Sequence, residues 1–229
     1  YTYWQSTMTV LLPERDFSDL AAAQYALDEL APADGLILTR YEPEPQLVGL
    51  SVAEIARARE LGEAETYLAL IRDAYPDGGL SLGTAATREA VLGRSMAEED
   101  IRTLAAWPHT NFCTDGSGGG GHPRGWGALP RVLRWLVRDQ EALTLEQAVH
   151  RMTGLSAAHV GLTDRGLLRE GLAADFVLFD PATIADQATI ETPDAPAVGI
   201  AGVWVNGQLV YQNGVVAAAR PGRFLRRPQ

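Results

Sequence analysis

An α/β fold followed by a β-rich module is predicted by three observations on the 229-residue chain. Helical and strand-like patterns alternate through its first three-quarters, as α/β layering requires. From Gly171 the apolar segments become short and β-like. Two Asn-Gly pairs, Asn206-Gly207 and Asn213-Gly214, then punctuate them, and such pairs readily take the positive φ angles of a tight hairpin turn. The domain boundary is placed near residue 170.

The opening "YTYWQSTMTVLLP" is aromatic and hydroxyl-rich and reads as a strand entering a loop at Pro13. Phe17 to Leu30 has the spacing of an amphipathic helix, "GLILTR" (35–40) that of a short strand, and "YEPEPQ" is a Pro-rich loop. Ser51 and Glu54 form a capping box ahead of a long helical pattern with a possible break at Gly62. A second box, Ser95 with Glu98, opens a helix running to Ala106, stopped by Trp107-Pro108. "TNFCT" (110–114) is predicted as a strand, Ala128 to Arg138 as a helix, and Thr144 with Gln147 as the cap of another. The β segments "ADFVLFDP", "VGIAGVWVNG", "QLVYQNG" and "VVAAA" complete the chain.

Composition narrows the function classes. The net charge of −10 argues against nucleic acid as a partner, and no apolar run is long enough for a membrane span. The composition is that of a soluble protein; it favours the cytoplasm over secretion without fixing the location. All 19 basic residues are arginine, so Schiff-base and P-loop lysines are excluded from this chain. A single cysteine, Cys113, makes no internal disulfide.

Chemistry concentrates in "FCTDGSGGGGHPRGWG" (112–127). Asp115 sits at the predicted end of a strand, where α/β folds collect catalytic groups, although an Asp-Gly turn is the commoner meaning of such a pair. The four glycines 118–121 would let backbone approach a ligand or act as a lid. Arg124 offers a planar fork suited to a carboxylate, or else is a surface residue in a Pro turn. His122 is counted with the substrate-binding candidates, with helix capping or packing as its alternative. Cys113 shares a strand face with Asp115, which would let it touch the site, and reads first as a small buried core residue. His109, His150 and His159 have no metal-ligand spacing and read as structural. From residues alone, the reading ends at an α/β domain with a candidate acid and a candidate anion clamp.

Taken together, "SMAEEDIRTLAAWPHTNFCTDG", the "HPRGWG…TLEQAVHRMTGLSA…GLAADFVLFDP" stretch and "VWVNGQLVYQNG" resemble the C-terminal half of N-acyl-D-amino-acid deacylases (D-aminoacylases) of the amidohydrolase superfamily. "YTYWQST" and "LVGLSVAEIARARELG" extend the resemblance over essentially the whole chain. It implies the C-terminal part of a metal-dependent (β/α)8 barrel in residues 1–170, with a helical insertion over about 15–95, and strands of a small β-sandwich in 171–229. It further implies that Asp115 is the general base and then general acid, taking a proton from a zinc-bound water and returning it to the leaving amine, and is also a possible weak metal ligand. Arg124 would grip the substrate α-carboxylate, with Tyr1 and Thr7, and Ser6 beside it, helping to hold that carboxylate and the scissile carbonyl. One or two zinc ions are implied, their main ligands lying in an N-terminal portion or partner chain that completes the barrel. Unlike the loop the family leads one to expect, the stretch between Asp115 and His122 is short and glycine-rich. Two alternatives stay open: a related amidohydrolase acting on other linear or cyclic amides, such as hydantoins or dihydropyrimidines, and a non-catalytic structural subunit.

Overall fold

The computed structural model of the chain describes residues 1–76, 87–116 and 122–226, which form two compact units, Tyr1–Glu98 and Glu99–Gln229. The glycine run 118–121 lies outside the described residues.

In the first unit, three strands form an antiparallel sheet: β1 (Tyr3–Ser6), β2 (Leu36–Tyr41) and β3 (Glu89–Arg94), with β3 in the middle. Trp4 faces Gly93 across β1 and β3, and a Cβ at Gly93 would stand 2.2 Å from the indole. Only glycine allows that approach.

The predicted helix of 17–30 begins at Leu20 (α1, Leu20–Tyr25), where the Asp19 carboxylate accepts the Ala22 N–H at 2.9 Å, and it continues through a π turn to Leu30. Residues 51–74 form two helices, α2 (Val52–Arg59) and α3 (Glu63–Ala74). Their break comes where Glu60 turns left-handed and Gly62 caps the next start. The Ser51 box is formed in full: the Ser51 hydroxyl accepts the Glu54 N–H, and the Glu54 carboxylate accepts the Ser51 N–H at 2.8 Å. Leu36, Leu38, Ile55, Tyr67, Leu70 and Val91 pack at the centre of the unit, fully or almost fully buried. Burying side chains of this kind contributes roughly 1.5–3 kcal/mol apiece before entropy is counted.

The second unit contains α4 (Glu98–Ala106), α5 (Arg124–Arg131), α6 (Leu145–Met152), α7 (Gly154–His159) and an antiparallel sheet of β4 (Phe176–Phe179), β5 (Ile200–Val205), β6 (Gln208–Gln212) and β7 (Val215–Val216), in that spatial order. Pro130 lacks an N–H for the helical ladder, and the helix beyond it changes to π-helical bonding over Val132–Asp139. That stretch and the end of α5 place Arg131, Arg134 and Arg138 against the 181–186 segment: Arg131 and Arg134 on the Asp186 carboxylate, Arg138 on the carbonyls of Pro181, Ala182 and Ile184. The Thr144–Gln147 box is formed. Both hairpin turns carry the conformation read from their sequence, with φ of 47° and 77° at Asn206-Gly207 and 45° and 90° at Asn213-Gly214.

Three expectations are corrected. Residues 110–114 form no strand, because a strand requires a ladder partner and no described segment pairs with this run. Cys113 is consequently exposed rather than buried in a core. Ser95 does not lie at the start of α4, which begins at Glu98; its hydroxyl instead accepts the indole N–H of Trp4 at 3.0 Å.

Candidate active site

Asp115 lies in an irregular segment and adopts a left-handed conformation, φ 45°. Its side chain is 75% exposed, within reach of a substrate in solvent. Arg124, the first residue of α5, reaches back to it: Nε donates to the Asp115 carbonyl at 2.9 Å, and Nη2 pairs with Oδ2 at 3.0 Å. One guanidinium therefore holds both the backbone and the carboxylate of the turn residue. With the carboxylate this exposed, the pair contributes about 1 kcal/mol or less to stability, so its geometry matters more than its strength.

The neighbouring residues fix Arg124. Buried His122 accepts the Arg124 N–H on Nδ1 at 3.0 Å. An accepting Nδ1 carries no proton, which leaves Nε2 as the N–H in the neutral ring. His122 thus accepts the N–H of the first residue of α5 from just outside the helix. Gly116 and Gly125 bring the two ends of the loop together, since a Cβ on Gly116 would meet Gly125 Cα at 2.4 Å. Neither this contact nor the grip on the Asp115 carbonyl is legible in the sequence, where Gly116 reads only as the second half of an Asp-Gly turn.

Tyr1, Ser6 and Thr7 belong to the first unit. Tyr1 stacks at a tilt on Tyr3 with ring centroids 5.3 Å apart, Ser6 is the last residue of β1, and the Thr7 hydroxyl lies 2.8 Å from that of Thr9. His109, His150 and His159 lie exposed on separate elements, His109 edge-on to Trp107. Among the described residues no three His, Cys, Asp or Glu side chains converge closely enough to hold a metal ion. The residues described do not by themselves make a zinc site, and Asp115 has no such cluster around it.

A family model described as "Amidohydrolase family" matches residues 109–211, the stretch that holds Asp115, His122 and Arg124. An N-acyl-D-aspartate deacylase of Alcaligenes xylosoxydans xylosoxydans is 47% identical over 132 residues, 57% of this chain and 26% of that protein. The N-acyl-D-glutamate deacylase of the same organism is 36% identical over 229 aligned residues, 98% of this chain and 40% of the relative. The chain belongs to the amidohydrolase family. Like those deacylases, the N-acyl-D-glutamate deacylase of Bordetella bronchiseptica, solved with zinc and a phosphonate mimic of the tetrahedral intermediate, is similar to this amidohydrolase chain: TM-score 0.74, 32% identity, 99% of this chain and 41% of that one. The amidohydrolase chain thus spans about two-fifths of the length of the N-acyl-D-glutamate deacylases and matches their C-terminal part.

Proposed function

We propose that this chain is the C-terminal part of a zinc-dependent enzyme that hydrolyses the amide bond of N-acyl-D-amino acids. The observation that carries the reading is the Asp115–Arg124 pair within the family-matched stretch: an exposed carboxylate bonded to a guanidinium that a second carboxylate can also engage. Similarity to deacylases of N-acyl-D-aspartate and N-acyl-D-glutamate supports the substrate class.

In this reading a water attacks the carbonyl carbon of the amide, and its proton passes to the Asp115 carboxylate. The carbon–nitrogen bond then breaks, and Asp115 returns the proton to the departing nitrogen, releasing a carboxylate and a free D-amino acid. Arg124, with five N–H donors in a rigid fork, grips the α-carboxylate of the substrate while keeping its hold on the Asp115 carbonyl. His122, whose Nδ1 holds the Arg124 N–H, is assigned with Arg124 to the substrate-binding group. Tyr1, Ser6 and Thr7 assist at the carboxylate and carbonyl, a role resting on the resemblance of "YTYWQST" to the family's segment.

Zinc is proposed as the cofactor of the complete enzyme, held by ligands outside the described residues, as is the completion of a (β/α)8 barrel by an N-terminal portion. The β4–β7 sheet is assigned to a β-sandwich module beginning near residue 171.

The test is a substrate panel on the zinc-loaded enzyme. N-acyl-D-amino acids should be cleaved, and the same compounds with the carboxylate amidated should react about 10- to 100-fold more slowly, the loss of one charge-assisted contact. Arg124→Met should erase that preference. Equal cleavage of both compounds by the unaltered enzyme would rule out the carboxylate clamp, and cleavage of cyclic amides alone would replace the deacylase reading.

A further inference from the structure

Glu89 opens β3 and is fully buried, yet no arginine pairs with it among the described residues. An unpaired acid in an interior costs several kcal/mol unless hydrogen bonds offset the loss of water. Here the offset comes from the Tyr75 hydroxyl and from the backbone that follows β1. Both carboxylate oxygens of Glu89 lie 3.0 Å from the Met8 nitrogen and accept its N–H.

The register explains the contact. β1 pairs with β3 up to Ser6 opposite Val91. Two residues further along β1, Met8 has left the ladder, and two residues back along β3 stands Glu89, whose side chain takes the bond that a backbone carbonyl would otherwise accept. Buried Tyr67, from α3, donates its hydroxyl to the Met8 carbonyl. The N–H and the C=O of Met8 are therefore both fixed by interior side chains. Thr7 is bracketed the same way: its carbonyl accepts the Val10 N–H at 3.2 Å, and its hydroxyl sits 2.8 Å from that of Thr9.

We propose that Glu89 is a positioning residue that, with Tyr67, locks the Met8 backbone and thereby sets the Ser6 and Thr7 hydroxyls for the acyl amino acid. This rests on the reading of Ser6 and Thr7 as substrate-binding residues. Neither Glu89 nor Tyr67 touches substrate; both act through the segment they hold. A hydrophobic residue at 89 would fill the space but leave the Met8 N–H without its acceptor.

The test compares kcat and KM for an N-acyl-D-amino acid in the zinc-loaded enzyme and its variants Thr7→Val, Ser6→Ala, Tyr67→Phe, Glu89→Gln and Glu89→Leu, with the double variant Thr7→Val/Tyr67→Phe. Thr7→Val should raise KM about tenfold, the equivalent of one hydrogen bond. Tyr67→Phe, which deletes one hydroxyl from a packed ring, should raise KM severalfold with kcat nearly unchanged, and should add nothing further in the Thr7→Val background. Glu89→Gln, which keeps an acceptor for the Met8 N–H, should retain a lower KM than Glu89→Leu. Unchanged KM in Tyr67→Phe, or an effect that multiplies fully with that of Thr7→Val, would overturn the positioning role even where Thr7→Val itself is impaired. Unchanged KM in both Thr7→Val and Ser6→Ala would instead remove the substrate-binding reading and the positioning role with it.

Discussion

Asp115 is held in a conformation that few side chains adopt, and the arginine nine residues further on is what holds it. The close approach of Gly116 to Gly125 completes the turn, so Gly116→Ala should displace one loop end from the other and pull Arg124 off Asp115. The expected outcome is at least a tenfold loss of kcat/KM, measured beside a thermal melt that tells a local shift from unfolding. A second prediction concerns Glu89. Burial raises its carboxyl from an ordinary 4.5 to about 7, against the lowering effect of the Met8 N–H and the Tyr75 hydroxyl. Between these values the folded chain keeps a proton that the unfolded chain gives up. Stability should therefore fall as pH rises through that window, by up to about 3 kcal/mol above it. Urea unfolding at pH 5 and pH 8 measures the difference, and Glu89→Gln should abolish this part of it. At this scale the sequence offers candidate residues but not their partners. Asp115 and Arg124 both stand out as residue types, whereas the bond from Arg124 to a backbone carbonyl joins residues nine positions apart and has no local signal.

Among the elements, what could be read locally was read well. The Ser51 and Thr144 boxes and both Asn-Gly turns are decided within four residues, where side chain and backbone meet whatever the rest of the chain does. Ser95 carries the same signal, but α4 begins only at Glu98, and the Ser95 hydroxyl accepts the indole N–H of Trp4, 91 positions away. The apolar run at 110–114 forms no strand: β structure is a property of pairs, and no described segment pairs with it. Ser51→Ala should cost about 1 kcal/mol in denaturant unfolding, as lost N-caps do. Arg151 does the opposite service at a helix end. Buried in α6, it donates to the carbonyls of Ala105 and Ala106, the last of α4, ahead of the segment that leads to Asp115. Removing its charged donors in Arg151→Met should destabilise the chain by roughly 2 kcal/mol, since those carbonyls are orphaned at the helix end. The same unfolding experiment measures it.

The whole chain presents a different picture from its parts. It matches the C-terminal part of relatives about two and a half times its length, and the described residues assemble no cluster of metal-binding side chains. Its four-stranded sheet ends at β4, where Val177 and Leu178 remain 49% and 57% exposed, an apolar edge of the kind that proteins usually cover. The proposed function draws on the resemblance rather than on composition or spacing. Composition and spacing reached an acid and an anion clamp, because the groups that would complete the chemistry are not among these residues. Whether Asp115 moves the proton in amide hydrolysis is tested by comparing hydrolysis of an N-acyl-D-amino acid by the zinc-loaded enzyme and by Asp115→Asn, with zinc content determined on both. The substitution should lower kcat about 100- to 10,000-fold with zinc content unchanged. Asp115→Asn enzyme that retains both its zinc and its rate would contradict that role.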